Sequence, residues 1–168
     1  KNRGGYRAAI NSVSGPRYSG ANSMAGSVMQ PDYQVAIIGA GFGGLGMAIA
    51  LKDRGQHAFV VLEKENDVGG CWRDNTYPGA ACDVPSHLYS FSFEKKFDWS
   101  RRFAPQAEIL AYLRHCADKY RLHPHIRFGT SVNGARFDEA TGLWHLDTSN
   151  GPITARALIT ATGQLNRP

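Results

Sequence analysis

A Gly-x-Gly-x-x-Gly loop set between a continuous apolar run and a helical pattern is the feature that most narrows what this chain can fold into. Residues 35–38, Val-Ala-Ile-Ile, run straight into Gly39-Ala40-Gly41-Phe42-Gly43-Gly44. A short, wholly apolar run predicts a parallel strand covered on both faces. Leu45, Ala48 and Ile49, with Met47 and Leu51, then recur at helical spacing, and Gly55 marks a stop after Arg54. A second apolar run, residues 58–62, ends in the acid Glu63. The chemistry of this order is specific. Gly39 permits a sharp turn out of the strand, Gly41 has no Cβ to block a pyrophosphate, and Gly44 lets the helix pack close to the sheet. The free N–H groups and positive dipole end of the helix then face the phosphates. A carboxylate about 20 residues further on accepts the hydroxyls of an adenosine ribose. The sequence predicts a βαβ unit that binds a dinucleotide.

The rest of the chain is organised around that unit. Residues 1–31 are rich in Gly, Ser, Asn and Arg without apolar periodicity, which predicts a flexible or surface-wrapping arm ahead of a domain at 32–168. Residues 64–99 are dense in Gly, Pro and aromatics, and a loop of that length in a compact domain is usually functional. Regular structure resumes at Pro105 as a first helical residue. Ile109, Leu113, Cys116, Ala117 and Tyr120 share one helical face, with Glu108 and Lys119 suited to the two dipole ends. A strand at 126–128 follows, then strands at 132–137, 143–147 and 153–155. The last two are joined by Asn150-Gly151, a strong hairpin signal. A final strand at 157–160 ends in Ala161-Thr162-Gly163. The fold class is therefore α/β, a Rossmann-like parallel sheet with an added three-stranded antiparallel meander. A second Gly-x-Gly-x-x-Gly, as a separate nicotinamide domain would carry, is absent from the sequence.

Composition excludes several classes. At 168 residues the chain suits one core. It has no apolar run of membrane-spanning length and no signal-peptide core, so a soluble, cytoplasmic protein is expected. The formal charge of +5 comes from basic residues interleaved with acids, so no nucleic-acid stripe is indicated. Cys71, Cys82 and Cys116 form no Cys-x-x-Cys pair, which argues for reduced thiols and against a disulfide reductase. His123-Pro124-His125 lacks a neighbouring thiolate or acid cluster, so no metal site is expected. Ser86 and His87 are adjacent and do not face each other as a nucleophile–base pair.

Further glycines and aromatics carry the remaining chemistry. Gly69-Gly70-Cys71-Trp72 predicts a second loop of close backbone approach, and Tyr77-Pro78-Gly79 is turn chemistry that delivers Asp83 into the same region. Together with Gly39, Gly41, Gly44, Glu63, Cys82 and Ala161-Thr162-Gly163, this set resembles the FAD-binding part of class B flavin monooxygenases. It is most similar to the N-terminal portion of type I Baeyer–Villiger monooxygenases, over about residues 32–168.

The resemblance implies FAD and NADPH as cofactors and a ketone and O2 as substrates, with oxygen inserted beside the carbonyl through a C4a-peroxyflavin. It implies that Glu63 holds the adenosine ribose and that the amides around Ala40, Gly41, Phe42 and Gly44 hold the pyrophosphate. Gly70, Cys71 and Trp72 would line the flavin side, Asp83 and Tyr89 would lie near the flavin ring, and the Val132 backbone would meet the adenine. Ala81, Cys82 and Asp83 match positions that contact NADPH, although relatives often carry Arg where this chain has Ala81. Asp83 would act in catalysis by orienting an Arg from a second domain. That domain and the C-terminal return lie in the missing remainder of the enzyme, so the fragment alone is expected to be catalytically poor. Two alternatives stay open: an N- or S-oxygenating flavin monooxygenase, and a non-catalytic FAD module completed by a partner chain.

Overall fold

The computed structural model describes residues 30–164. The expected arm at 1–31 therefore falls almost wholly outside the described residues. Strand β1 (Tyr33–Ile38) leads into helix α1 (Phe42–Asp53) and strand β2 (Phe59–Leu62). A single helical turn, α2 (Cys71–Asp74), interrupts the long loop. Helix α3 (Gln106–Lys119) and a short strand β3 (Ile126–Arg127) follow. Strands β4 (Val132–Asp138), β5 (Leu143–Thr148) and β6 (Ile153–Thr160) complete one six-stranded sheet of order β3-β2-β1-β6-β5-β4.

The parallel half is built as its sequence requires. β1 pairs in parallel with β2 on one side and with β6 on the other, and β2 pairs in parallel with β3. All four residues of β2 are buried, as a strand covered on both faces must be. Ile37, Phe59 and Val61 meet Leu45 and Ile49 of α1 and Leu113 and Cys116 of α3. Ala36, Val60 and Leu62 on the opposite face meet Leu146, Ile153 and Ala155 of the antiparallel half. At roughly 1.5–3 kcal/mol for each buried large side chain, these two layers are the main stabilising term.

Two expected strands, 153–155 and 157–160, are one strand. Along β6, Ile153 and Ala155 pair antiparallel with Leu146 and Trp144, while residues 155–160 pair in parallel with β1. The meander is thus continuous with the parallel sheet. Pro105 likewise differs from expectation: it is the residue before α3, extended at φ −69° and ψ 156°, and not its first helical residue. The stop after α1 is as anticipated, with Gly55 at φ +74° and its N–H donating to the Lys52 carbonyl. α3 ends without a glycine. Arg121 takes the left-handed conformation at φ 51°, and Lys52 Nζ donates to the carbonyls of Tyr120 and Arg121.

The loop between α2 and α3 is anchored at Glu94. Its carboxylate accepts from Lys119 Nζ at 2.7 Å and from the Tyr120 hydroxyl at 2.9 Å, while its carbonyl accepts from the Tyr112 hydroxyl at 2.7 Å. The Lys119 hydrogen bond, above all, holds the Glu94 carboxyl below the ordinary carboxylate range. A carboxyl depressed in the folded state stabilises the fold above its unfolded value, and that gain fades as pH falls through the folded one. Glu94→Gln should therefore cost about 1 kcal/mol near neutral pH. The stability gap between the two forms should narrow on acidification, as read by urea unfolding at several pH values.

Candidate functional site

The cleft lies where the sheet changes direction. From β1 the chain steps outward through β2 to β3, then crosses to the other side and returns through β4 and β5 to β6, beside β1. Loops at the carboxyl ends of β1 and β6 therefore part around a crevice, the position at which open α/β sheets bind ligands. Here the crevice has a volume of about 520 Å³, within the range of small-molecule sites.

Backbone packing at the first glycine loop decides its shape. Gly39 turns at φ +100°, and a Cβ there would lie 2.6 Å from the Ala161 carbonyl oxygen. At Gly44 a Cβ would lie 1.8 Å from the Gly39 carbonyl oxygen, so only glycine lets α1 start directly against the turn. The first N–H groups of a helix have no acceptor within it. Those of α1 therefore open toward the crevice, which Gly41, Phe42 and Gly43 line. The second glycine loop closes on the first: a Cβ on Gly70 would stand 3.2 Å from the Gly41 Cα.

Glu63 sits at the end of β2, 4 % exposed. Its Oε2 accepts from the Ala40 N–H at 2.8 Å, and its Oε1 accepts from the Glu65 N–H at 3.0 Å. The wall beyond it is tied to the same point, since the Thr130 N–H donates to the Glu63 carbonyl at 2.8 Å. Thr130, Ser131 and Val132 thus border the carboxylate end of the crevice.

The lining also includes an aromatic cluster. Trp72 Nε1 donates to the Tyr89 hydroxyl at 3.1 Å, and the two rings meet edge to face at 5.5 Å. Phe42 meets Tyr89 in the same manner at 5.1 Å. Gln106 at the start of α3 donates to the Trp72 carbonyl and holds this cluster. Burial raises the Tyr89 pKa, so its hydroxyl stays protonated. Burial also raises the Cys71 thiol, which lies beside the crevice as a neutral group.

Of the residues singled out in the sequence, Gly39, Ala40, Gly41, Phe42, Glu63 and Val132 line the crevice. Gly70, Cys71, Trp72 and Tyr89 line it as well. Gly44 packs behind it. Ala81, Cys82 and Asp83 do not line this crevice, although Cys82 packs in the cluster that includes Phe42, Trp72 and Tyr89. The Cys82 N–H donates to the Ala104 carbonyl at 2.9 Å, and its thiol is buried with Ala104 and Ile109. Ala81 and Asp83 are exposed on the outer side of the same ribbon. Ser86 clamps that ribbon, its hydroxyl accepting from the Ala104 N–H at 2.7 Å. His123 binds Asp118 at 2.8 Å, whereas His125 stacks on Phe59 at 4.3 Å. Sequence reasoning passed over Arg73, whose guanidinium meets Glu63, and Thr130 and Ser131. Their position next to Trp72 and Val132 was the available signal.

These residues fit a dinucleotide. Glycines at both loops leave backbone N–H groups at the crevice uncovered by side chains, a held carboxylate offers acceptance to ribose hydroxyls, and flat rings form part of the lining. Among the described residues no group of three or more His, Cys, Asp or Glu side chains is placed to hold a metal ion. No helix among them is long and apolar enough to cross a membrane.

Comparison with known proteins follows the same geometry. The NAD(P)-binding Rossmann-like domain family matches residues 37–105. A Baeyer–Villiger monooxygenase of Streptomyces coelicolor is 51 % identical over 135 residues, covering 80 % of this chain and 26 % of the relative. The structure of an oxidised steroid monooxygenase bound to NADP aligns with TM-score 0.75 and 40 % identity, over 81 % of this chain and 27 % of that one. OTEMO in complex with FAD and NADP aligns with TM-score 0.77 and 35 % identity, over 82 % and 27 % of the two chains. This chain spans about a quarter of the length of the proteins it matches.

The glycine contacts give a paired expectation. Gly44→Ala forces a Cβ into backbone and should destabilise the fold by roughly 1–3 kcal/mol or more. Gly43→Ala, whose Cβ would meet only the Ala161 Cβ at an ordinary 3.5 Å, should leave the melting temperature almost unchanged. Calorimetry on the two variants separates these outcomes.

Proposed function

Over the part that it spans, the chain is of the flavin-dependent Baeyer–Villiger monooxygenase family, and on that premise we propose that residues 32–168 form the FAD-binding domain of such an enzyme. The observation that carries this reading is the pair of apposed glycine loops with Glu63 held at the end of β2. The steroid monooxygenase bound to NADP, of which this chain covers 27 %, supplies the expectation of a nicotinamide-binding remainder in the same enzyme. A flavin in this crevice supplies two-electron chemistry and the activation of dioxygen, with NADPH as reductant and a ketone as the oxygen acceptor.

This chain's own residues bind and orient. The N–H groups at the start of α1 receive the pyrophosphate, where the helix dipole favours negative charge. Glu63 accepts from the adenosine ribose, and Thr130 to Val132 border the adenine. Phe42, Trp72 and Tyr89 give the flavin end an apolar wall that keeps water out, which strengthens electrostatic interactions inside the site. Tyr89 keeps its proton and takes the Trp72 indole N–H.

Ala81 and Asp83 are exposed outside the crevice lining, with Cys82 buried between them. The exposure of Ala81 and Asp83 supports a meeting place for the nicotinamide cofactor and the remainder of the enzyme. There the Asp83 carboxylate orients a cation from that remainder. The three unpaired thiols suit a reducing, cytoplasmic setting, and no feature of the site calls for a nucleic-acid partner.

The test is a product analysis on the full-length enzyme that carries this chain. Purified protein should be yellow and should convert a cyclic ketone to its lactone with NADPH and air. Colourless protein that refuses added FAD overturns the reading, and sulfoxide from a thioether with no lactone favours N/S-oxygenation. Asp83→Ala should lower kcat by at least about tenfold, a loss of roughly 1.4 kcal/mol in transition-state stabilisation. FAD content should remain at the wild-type level.

A further inference from the structure

Arg73 makes a contact in the cleft that the proposed function does not use. It lies in α2, ten residues beyond Glu63 in the chain, and its Nη1 stands 3.2 Å from Glu63 Oε1. The two side chains are 14 % and 5 % exposed, so solvent screens their attraction weakly. Arg73 is itself fixed at two further points. Nη1 donates to the Asp67 carbonyl at 2.6 Å, and Nε donates to an Asp74 carboxylate oxygen at 2.8 Å. Asp74, Glu63 and Glu65 together favour the guanidinium charge, which outweighs the opposing effect of burial.

The consequence is geometric. A carboxylate offers about four acceptor positions. Ala40 N–H occupies one on Oε2, while Glu65 N–H and Arg73 reach Oε1. The carboxylate plane is therefore set from three directions, with acceptance left on the Oε2 side. Ala40 belongs to the first glycine loop, and Arg73 to the helical turn that opens at Gly70 of the second. Glu63 consequently bridges the two loops.

We propose that Arg73 is a positioning residue: it holds the Glu63 carboxylate for an adenosine ribose and couples that end of the cleft to the Gly69-Gly70 loop. Arg73 lines the same crevice, and the role assigned to it is exerted through Glu63. The assignment rests on the reading of the cleft as an FAD site.

The experiment is a double-mutant cycle on FAD affinity in the full-length apoenzyme, followed by quenching of flavin fluorescence. Arg73→Gln should weaken FAD binding about ten- to hundredfold, the size of a lost hydrogen bond to a charged group. Arg73→Lys keeps the charge without the planar fork and should recover part of that loss. In a Glu63→Gln background, Arg73→Gln should weaken binding by far less than it does alone, because the two residues act as one unit. A simple role in bracing the Asp67 turn predicts equal losses in both backgrounds, and that result overturns the proposal. Unchanged affinity in Arg73→Gln overturns it as well. Should Arg73→Gln fail to fold, the same cycle run with Arg73→Lys gives the comparison. A wild-type enzyme that does not bind FAD refutes the cleft reading itself, whereas failure of the cycle with wild-type binding intact leaves that reading standing.

Discussion

Helix α1 can begin against β1 only because no side chain stands between Gly44 and the Gly39 carbonyl. The remaining features of the crevice follow from that contact. It directs the first-turn N–H groups to the opening, brings Gly41 within reach of Gly70, and sets the Ala40 N–H beside the Glu63 carboxylate. Ala161 at the end of β6 presses on Gly39 from the other side, with its N–H donating to the Ile38 carbonyl at 2.8 Å. The turn is thus clamped between neighbouring segments of backbone. Backbone held in this way has little conformational entropy to lose on binding.

The parallel unit was legible because its signals are local. Val35 to Glu63 carry strand, turn, helix, stop and strand within thirty residues, and each propensity agrees with the final fold. Gly55 sits where a helix terminator is expected. The errors arose where tertiary pairing overrides local pattern. Arg156 read as a break between two strands, yet the backbone continues through it because β1 and β5 both need a partner at Ala155. Arg121 ends α3 in a left-handed conformation that its side chain disfavours, and the Lys52 ammonium on another helix satisfies the carbonyls released there.

The site divides along the same line. Residues on the two glycine loops could be placed because glycine marks a backbone requirement. The Arg73–Glu63 pair could not, since spacing along the chain carries no record of which charges meet across a loop. Ala81, Cys82 and Asp83 show a further limit. Their motif is read from the residues, but the direction in which the ribbon faces depends on Ser86 and on the Cys82–Ala104 hydrogen bond, which sew it to the segment before α3.

A single strand serves as hairpin arm below and as parallel rail above, and this limits how the molecule can vary. Sliding β6 by one residue would exchange its inward and outward side chains in both halves at once. Ile153 and Ala155 would leave the core together with the alignment of β1. Length changes in this region are therefore confined to the turns around Thr141-Gly142 and Asn150-Gly151. Between Ile153 and Thr160 the chain has a fixed gauge, and the distance from hairpin to crevice is the same in every fold that keeps this sheet.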